Sequence, residues 1–310
     1  MEKKNIARRT FLKNTGKLAA ASLVFPLSSF DFNHQKSGSI NSPNIPFVTL
    51  NNGIKMPMLG FGTFMLRDEI CKTSVSNAIS CGYRLIDTAT VYGNEASIGA
   101  GIKQSGIDRK ELFITSKVWI KEPAYDNCLK EFEISINKLN TDYLDLYLIH
   151  RPRGNFKATW QAMESLYTSG KIKALGISNF EPSQIEELKS FATIMPAVNQ
   201  IESHAFFQET TALSNLKNQR IQMEAWAPFA EGRNGLFTNE VLSAIGKKYH
   251  KTTAQVSLRW HFQRGVISIP RTSKKEHMEE NLNIFDFELS KDDMATISNL
   301  DLNKTQFPEW

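Results

Sequence analysis

Hydrophobic positions along this chain fall into two regimes. Up to residue 46 there is one apolar run, Leu18–Phe25, in a basic setting; from Phe47 onward, short apolar or β-branched runs alternate with stretches of helical periodicity. Parallel strands covered by crossover helices produce that alternation, because both faces of each strand are buried. The runs predict strands over Met58–Gly60, Arg84–Asp87, Leu112–Lys117, Leu144–His150, Lys173–Ser178, Val198–Glu202, Gln222–Ala227 and Val266–Ile269. Ahead of them, Phe47–Leu50 and Ile54–Met56 flank Asn51-Asn52-Gly53. Asn-Gly is a hairpin signal, and this hairpin is predicted to plug one end of a barrel. Helix starts are marked at Glu181-Pro182, ahead of Ile185 and Leu188, and at Ser290 with Asp293 three positions on. About 264 residues from Phe47 match the ~250 typical of a (β/α)8 TIM barrel. An open Rossmann sheet calls for a glycine-rich turn after its first strand, and Gly60-Phe61-Gly62-Thr63 lacks the third glycine. The predicted class is therefore α/β, a (β/α)8 TIM barrel carrying an N-terminal β-hairpin.

Charge changes the picture only at the N-terminus. Residues 1–46 hold seven Lys/Arg against Glu2 and Asp31, which accounts for the whole net charge of +5 and leaves the body with 30 basic and 30 acidic residues. A body without basic excess argues against nucleic-acid binding. Within the basic segment, Ala7-Arg8-Arg9-Thr10-Phe11-Leu12-Lys13 resembles a twin-arginine (Tat) export signal over residues 1–36, with a Ser/Asn/Pro linker over 37–46. The expectation is transient contact with the Tat translocase and a periplasmic location, or a cytoplasmic one if the leader does not act. The apolar run stops at Pro26, far short of the ~20 residues that span a bilayer. Cys71, Cys81 and Cys128 form no even framework, and Cys71 and Cys81, roughly 15 Å apart on one predicted helix, are too distant to bridge.

In such barrels chemistry sits at the C-terminal strand ends. There the second strand ends in Asp87, with Tyr92 on the following loop, the third ends in Lys117 and the fourth in His150. Together they make a proton-transfer device. A lysine ammonium beside the phenol is expected to lower the Tyr92 pKa from about 10, Asp87 to hold the lysine charged, and His150 to direct a carbonyl oxygen toward the phenol.

Further motifs extend this picture: Leu59-Gly-Phe-Gly-Thr63, Ile86-Asp-Thr-Ala89 with Tyr92-Gly-Asn-Glu95, Thr115-Ser-Lys-Val-Trp119, Leu148-Ile-His-Arg-Pro152, Gly176-Ile-Ser-Asn-Phe180, Asn199-Gln-Ile-Glu202 and Ile269-Pro-Arg-Thr272. With them residues 47–310 resemble the aldo-keto reductases, and Glu224-Ala-Trp-Ala-Pro-Phe-Ala-Glu-Gly232 is similar to the prokaryotic branch that includes the diketogulonate reductases. The resemblance implies an NADPH-dependent oxidoreductase that reduces aldehydes, keto acids or diketo sugars, with Asp87, Tyr92, Lys117 and His150 as its catalytic tetrad. It further implies that Ser178, Asn179 and Gln200 bond the nicotinamide carboxamide and that Trp226 stacks on the ring. Thr63 would lie beside the cofactor, and Arg271, Thr272, His277, Glu280 and Asn281 at its adenosine end. An aromatic at a strand end offers a flat face, and an amide cluster fixes which side of the ring is presented, so the residues agree with that implication.

Departures from the family pattern mark specificity. Arg151 follows His150 where many members have Trp, which puts a fixed cation in the substrate pocket, and Arg271, Thr272 and His277 stand where Lys, Ser and Arg are usual. Phe64, Trp119, Phe156 and Trp310 are candidate apolar walls, and the nine residues after Asp301 are too few for a long specificity loop. Alternatives are a Schiff-base lyase using Lys117, metal-dependent hydrolysis, and a cofactor-binding redox sensor or accessory subunit. No strand supplies a His-x-His pair, so no metal is expected, and the chain is expected to be a monomer.

Overall fold

A computed structural model describes residues 45–119, 124–154 and 156–309. The predicted leader, all but the last two residues of the linker, and Trp310 lie outside the described residues. The hairpin forms as predicted, β1 (Phe47–Thr49) pairing antiparallel with β2 (Lys55–Pro57) around Gly53, whose φ of 85° only glycine adopts readily. Eight parallel strands follow: β3 (Phe61–Gly62), β4 (Leu85–Asp87), β5 (Phe113–Val118), β6 (Leu146–Ile149), β7 (Leu175–Ser178), β8 (Val198–Glu202), β9 (Gln222–Trp226) and β10 (Ile267–Ser268). Each pairs with its sequence neighbour, and Gly60 N donates to Ser268 O (2.8 Å) and Gly62 N to Pro270 O (3.0 Å), joining the last strand to the first. The sheet thereby closes into the (β/α)8 barrel.

The first strand differs from its predicted span. Pairing with β4 begins at Phe61, not Met58, because Met58 and Leu59 belong to the seam with β10. Two glycines make that seam possible: a Cβ on Gly60 would lie 2.5 Å from Leu85, and one on Gly62 2.6 Å from the Ile269 carbonyl. Strand periodicity sorts the side chains. On β6, Leu146 and Leu148 point into the barrel, where they meet Met56, Met58, Leu85 and Phe113, while Tyr147 and Ile149 pack outward under the helices. Leu50 and Met56 of the hairpin region thus fill the N-terminal end, and Asn51 and Asn52 pin it through bonds to the Pro196 and Lys173 carbonyls.

The crossover helices are α1 (Asp68–Cys81), α2 (Glu95–Ser105), α3 (Tyr125–Leu139), α4 (Lys157–Thr168), α5 (Pro182–Lys189), α6 (Thr210–Asn218), α7 (Glu240–Tyr249), α8 (Thr253–Gln263), α9 (Lys275–Leu282) and α10 (Lys291–Ser298). Both predicted helix starts carry caps. Glu181 and Gln184 form a capping box with Pro182 at the first helical position, and Ser290 Oγ accepts from Asp293 N. With the N-terminal end of the barrel interior filled by apolar side chains, its inward-facing polar ones gather at the C-terminal mouth.

Candidate active site

The mouth is built on a buried ammonium. Lys117, second from the end of β5, is fully buried, and each of its three hydrogens has an acceptor: Asp87 Oδ1 at 2.6 Å, the Thr88 carbonyl at 2.9 Å and the Tyr92 hydroxyl. Tyr92 itself comes from a short 3-10 turn, Thr90–Tyr92, after β4. That turn is held by Asn94, whose Nδ2 donates to the Thr63 and Leu66 carbonyls while Oδ1 accepts from Thr88 Oγ1, and by Arg67, which donates to the Tyr92 carbonyl. His150 lies edge-on to Tyr92, ring centroids 5.7 Å apart. The four residues expected from three strand ends and one loop therefore do meet.

Their titration corrects one expectation. Burial raises the Tyr92 pKa above its ordinary value, and although Lys117 pulls it down, desolvation wins. The phenol consequently rests protonated at neutral pH. For Lys117, burial works against the charge, but Asp87 and Tyr92 together outweigh it and hold the ammonium above its usual range. Burial and then the charges of Lys117, Arg151 and Arg153 depress His150 well below the usual imidazole range, so it is neutral. Its Nδ1 is buried with no partner among the described residues.

A cavity opens above this group, lined by Thr63, Phe64, Tyr92, His150 and Arg151 on one side and by Ser178, Asn179, Gln200, Trp226 and Arg271 on the other. Asn179 adopts a left-handed backbone (φ 59°), which swings its amide so that Oδ1 accepts from Trp226 Nε1 at 2.8 Å while Nδ2 donates to Ser178 Oγ and the His150 carbonyl. The Asn179 and Gln200 amides thus stand beside a flat indole, and Arg271 lines the same cavity. Beyond it, Thr272 and His277 approach each other (Oγ1 to Nδ1 3.5 Å), Glu280 accepts from Thr252 Oγ1, and Asn281 is buried against Tyr83. A cavity of mixed polar and aromatic lining, with amides, an indole and the Arg271 guanidinium, fits a nicotinamide dinucleotide. No group of three or more His, Cys, Asp or Glu among the described residues could hold a metal ion.

The apolar walls come out differently from expectation. Phe64 stands 5.0 Å from the Tyr92 ring and lines the cavity, but Trp119 packs behind His150 (5.2 Å) and beneath the Arg153 guanidinium. Phe156 is no wall: it is buried against Phe180 and Phe191, where α4 crosses the barrel. The missed walls are Phe229, Phe237 and Phe307. Phe307 comes from the short tail, which Glu202 anchors by accepting from Thr305 Oγ1 and Gln306 N, so that the ring rests edge-on against Trp226 at 5.2 Å. Few as they are, the residues after Asp301 reach the pocket. Glu224, which the sequence offered only as the first residue of the Glu224–Gly232 motif, is buried at the site and accepts from Gln200 Nε2.

The profile of the Aldo/keto reductase family matches residues 58–302. The glyoxal reductase of Bacillus subtilis (strain 168) is 48% identical over 263 residues, covering 84% of this chain and 95% of that protein. Morphine 6-dehydrogenase of Pseudomonas putida is 40% identical over 270 residues, covering 83% and 91%. Among solved structures, an aldo-keto reductase from a deep-sea metagenome library superimposes with a TM-score of 0.82 at 39% identity, over 84% of this chain and 97% of that one. A Bombyx mori aldo-keto reductase in complex with NADP does so with a TM-score of 0.80 at 31% identity, over 84% and 94%.

Proposed function

The chain belongs to the aldo/keto reductase family and is an NADPH-binding oxidoreductase, and from that premise we propose that it reduces the carbonyl of small aldehydes and keto acids, diketo sugars included, with Tyr92 as the proton donor. The observation that carries this is Lys117, whose three hydrogens are spent on Asp87, Thr88 and the Tyr92 oxygen at the floor of an open cavity. Bound nicotinamide supplies the hydride; the chain supplies everything else. The Tyr92 hydroxyl gives its proton to the carbonyl oxygen, and the phenolate left behind keeps its bond from the Lys117 ammonium, which Asp87 holds charged. A neutral His150 retains an N–H for orienting that oxygen. Ser178, Asn179, Gln200 and Trp226 would hold the nicotinamide end, and Arg271 with Thr272 and His277 the phosphorylated ribose. Arg151, on the cavity wall beside Tyr92 and His150, favours substrates that carry a carboxylate, because a guanidinium pairs with it through two parallel bonds.

The test is Tyr92→Phe, with NADPH oxidation followed over aldehydes, α-keto acids and diketo sugars. Turnover is expected to fall by at least ~10²-fold with NADPH affinity changed less than about twofold, since only the acid is lost. Retention of more than roughly a tenth of turnover overturns the assignment. For residues 1–36 the reading is export of the folded enzyme to the periplasm through Arg8-Arg9. Replacing both by Lys is expected to leave active enzyme in the cytoplasm, and an unchanged distribution on cell fractionation removes the leader's assigned role.

A further inference from the structure

Beneath the cavity floor lies a second buried carboxyl group that the mechanism above does not use. Gln200 on β8 and Glu224 on β9 are register partners, and both side chains point into the barrel. The Gln200 amide nitrogen has two hydrogens, and both are taken: one by Asp87 Oδ2 at 2.9 Å, across the barrel on β4, and one by Glu224 Oε2 at 2.8 Å. That leaves Oε1 as the polar atom Gln200 can offer to the cavity it lines. Glu224 is fully buried, and its own Oε1 has no partner among the described residues.

We propose that Glu224 is a positioning residue that works as a neutral acid: it shares the Gln200 amide nitrogen with Asp87, so that Gln200 keeps its carbonyl oxygen toward the cofactor, and it leaves the buried Lys117–Asp87 pair electroneutral. The inference rests on the reading of this mouth as the nicotinamide site. A buried carboxylate with one oxygen unsatisfied is among the costliest groups a protein can hold, whereas the protonated form puts no net charge there. The charged groups that act on Glu224 are Asp87 from β4, which opposes its ionisation, and Lys117 from β5, which favours it; its strand neighbours contribute only Gln200 from β8 and Ile267 and Ser268 from β10. Tyr92 and His150 are the titratable groups on the loops above. Burial is the largest influence and Asp87 the next, and they push Glu224 up to about 8 against the pull of Gln200 and Lys117. It therefore ionises as pH rises through about 8, placing a second negative charge beside Asp87.

An added buried anion favours the oxidised cofactor, whose nicotinamide ring is cationic, over the reduced one. Dissociation constants of NADPH and NADP⁺ measured by fluorescence between about pH 6.5 and 9.5 read this directly, and their ratio cancels the titration of the 2′-phosphate that both cofactors share. In the wild type, NADPH affinity relative to NADP⁺ is expected to fall about tenfold over that range, while in Glu224→Gln, which keeps the acceptor but cannot ionise, the ratio stays level. In Glu224→Leu the second amide hydrogen loses its acceptor, and at pH 7 both cofactors are expected to bind about tenfold more weakly than to Glu224→Gln. A level ratio in the wild type, an equal slope in Glu224→Gln, or equal affinities in Glu224→Leu and Glu224→Gln each overturns the proposal. Should Glu224→Leu not fold, the wild-type and Glu224→Gln curves decide alone. A wild type that binds neither cofactor removes the nicotinamide reading itself, and the proposal with it.

Discussion

Two buried carboxylates, each paired with a cation, sit at opposite ends of the same barrel. Asp145, just before β6 at the N-terminal end, pairs with Arg109 at 2.8 Å and Lys173 at 3.2 Å and also accepts from Ile114 N. Arg109 also donates to Thr141 Oγ1 and to the Leu112 and Tyr143 carbonyls, and both its guanidinium and the Lys173 ammonium lie over the Tyr143 ring. Asp87, at the C-terminal end, pairs with Lys117 just as closely, but its surroundings differ: a second buried carboxyl in Glu224, a neutral His150 whose Nδ1 has no partner among the described residues, and an open cavity above. The geometry of the two pairs is similar. What separates a structural ion pair from a reactive one is what lies next to it: Asp145 is closed in by Arg109, Lys173 and the Ile114 amide, whereas Asp87 lines an open cavity that an incoming molecule can enter.

The sharpest way to break this comparison is to remove one cation from each end. Lys117→Met is expected to lower turnover on a simple aldehyde such as methylglyoxal by on the order of 10³-fold, because the phenolate loses its counter-charge. Arg109→Met is expected to leave turnover per folded molecule within about twofold but to cost roughly 3 kcal/mol in urea unfolding, at the lower end for a broken buried pair because Lys173 still faces Asp145. Similar activity losses in both would mean that the two pairs are not functionally distinct. A smaller change sharpens the contrast within the mouth. Arg151→Gln is expected to raise KM for an α-keto acid by about tenfold while leaving that for methylglyoxal unaffected. Equal changes for both substrates would make Arg151 a structural residue.

Legibility along the chain followed the physics of each signal. Strand ends and helix caps are local, so the hairpin at Asn52-Gly53, the capped starts at Glu181 and Ser290, and the strand ends at Asp87, Lys117 and His150 could all be read one segment at a time. The first barrel strand could not: Met58 and Leu59 look like strand, yet their partner is Ser268, some two hundred residues away.

By itself the sequence determined which residues could meet, because parallel barrel strands bring their C-terminal ends together whatever lies between them, and alternation along each strand selects which side chains point inward. Only the tertiary structure decided how those residues behave once they meet. Lys117 beside Tyr92 argued for a lowered phenol pKa, but depth of burial reversed the sign, and depth is a property of the whole packed mouth rather than of any segment. Phe307 and Glu224 entered the site for the same reason. One arrives on a tail tethered to Glu202, the other by register with Gln200, and both are contacts between elements distant in the chain. Chain-local pattern encodes secondary structure and facing; desolvation and cross-barrel hydrogen bonding exist only after the sheet has closed.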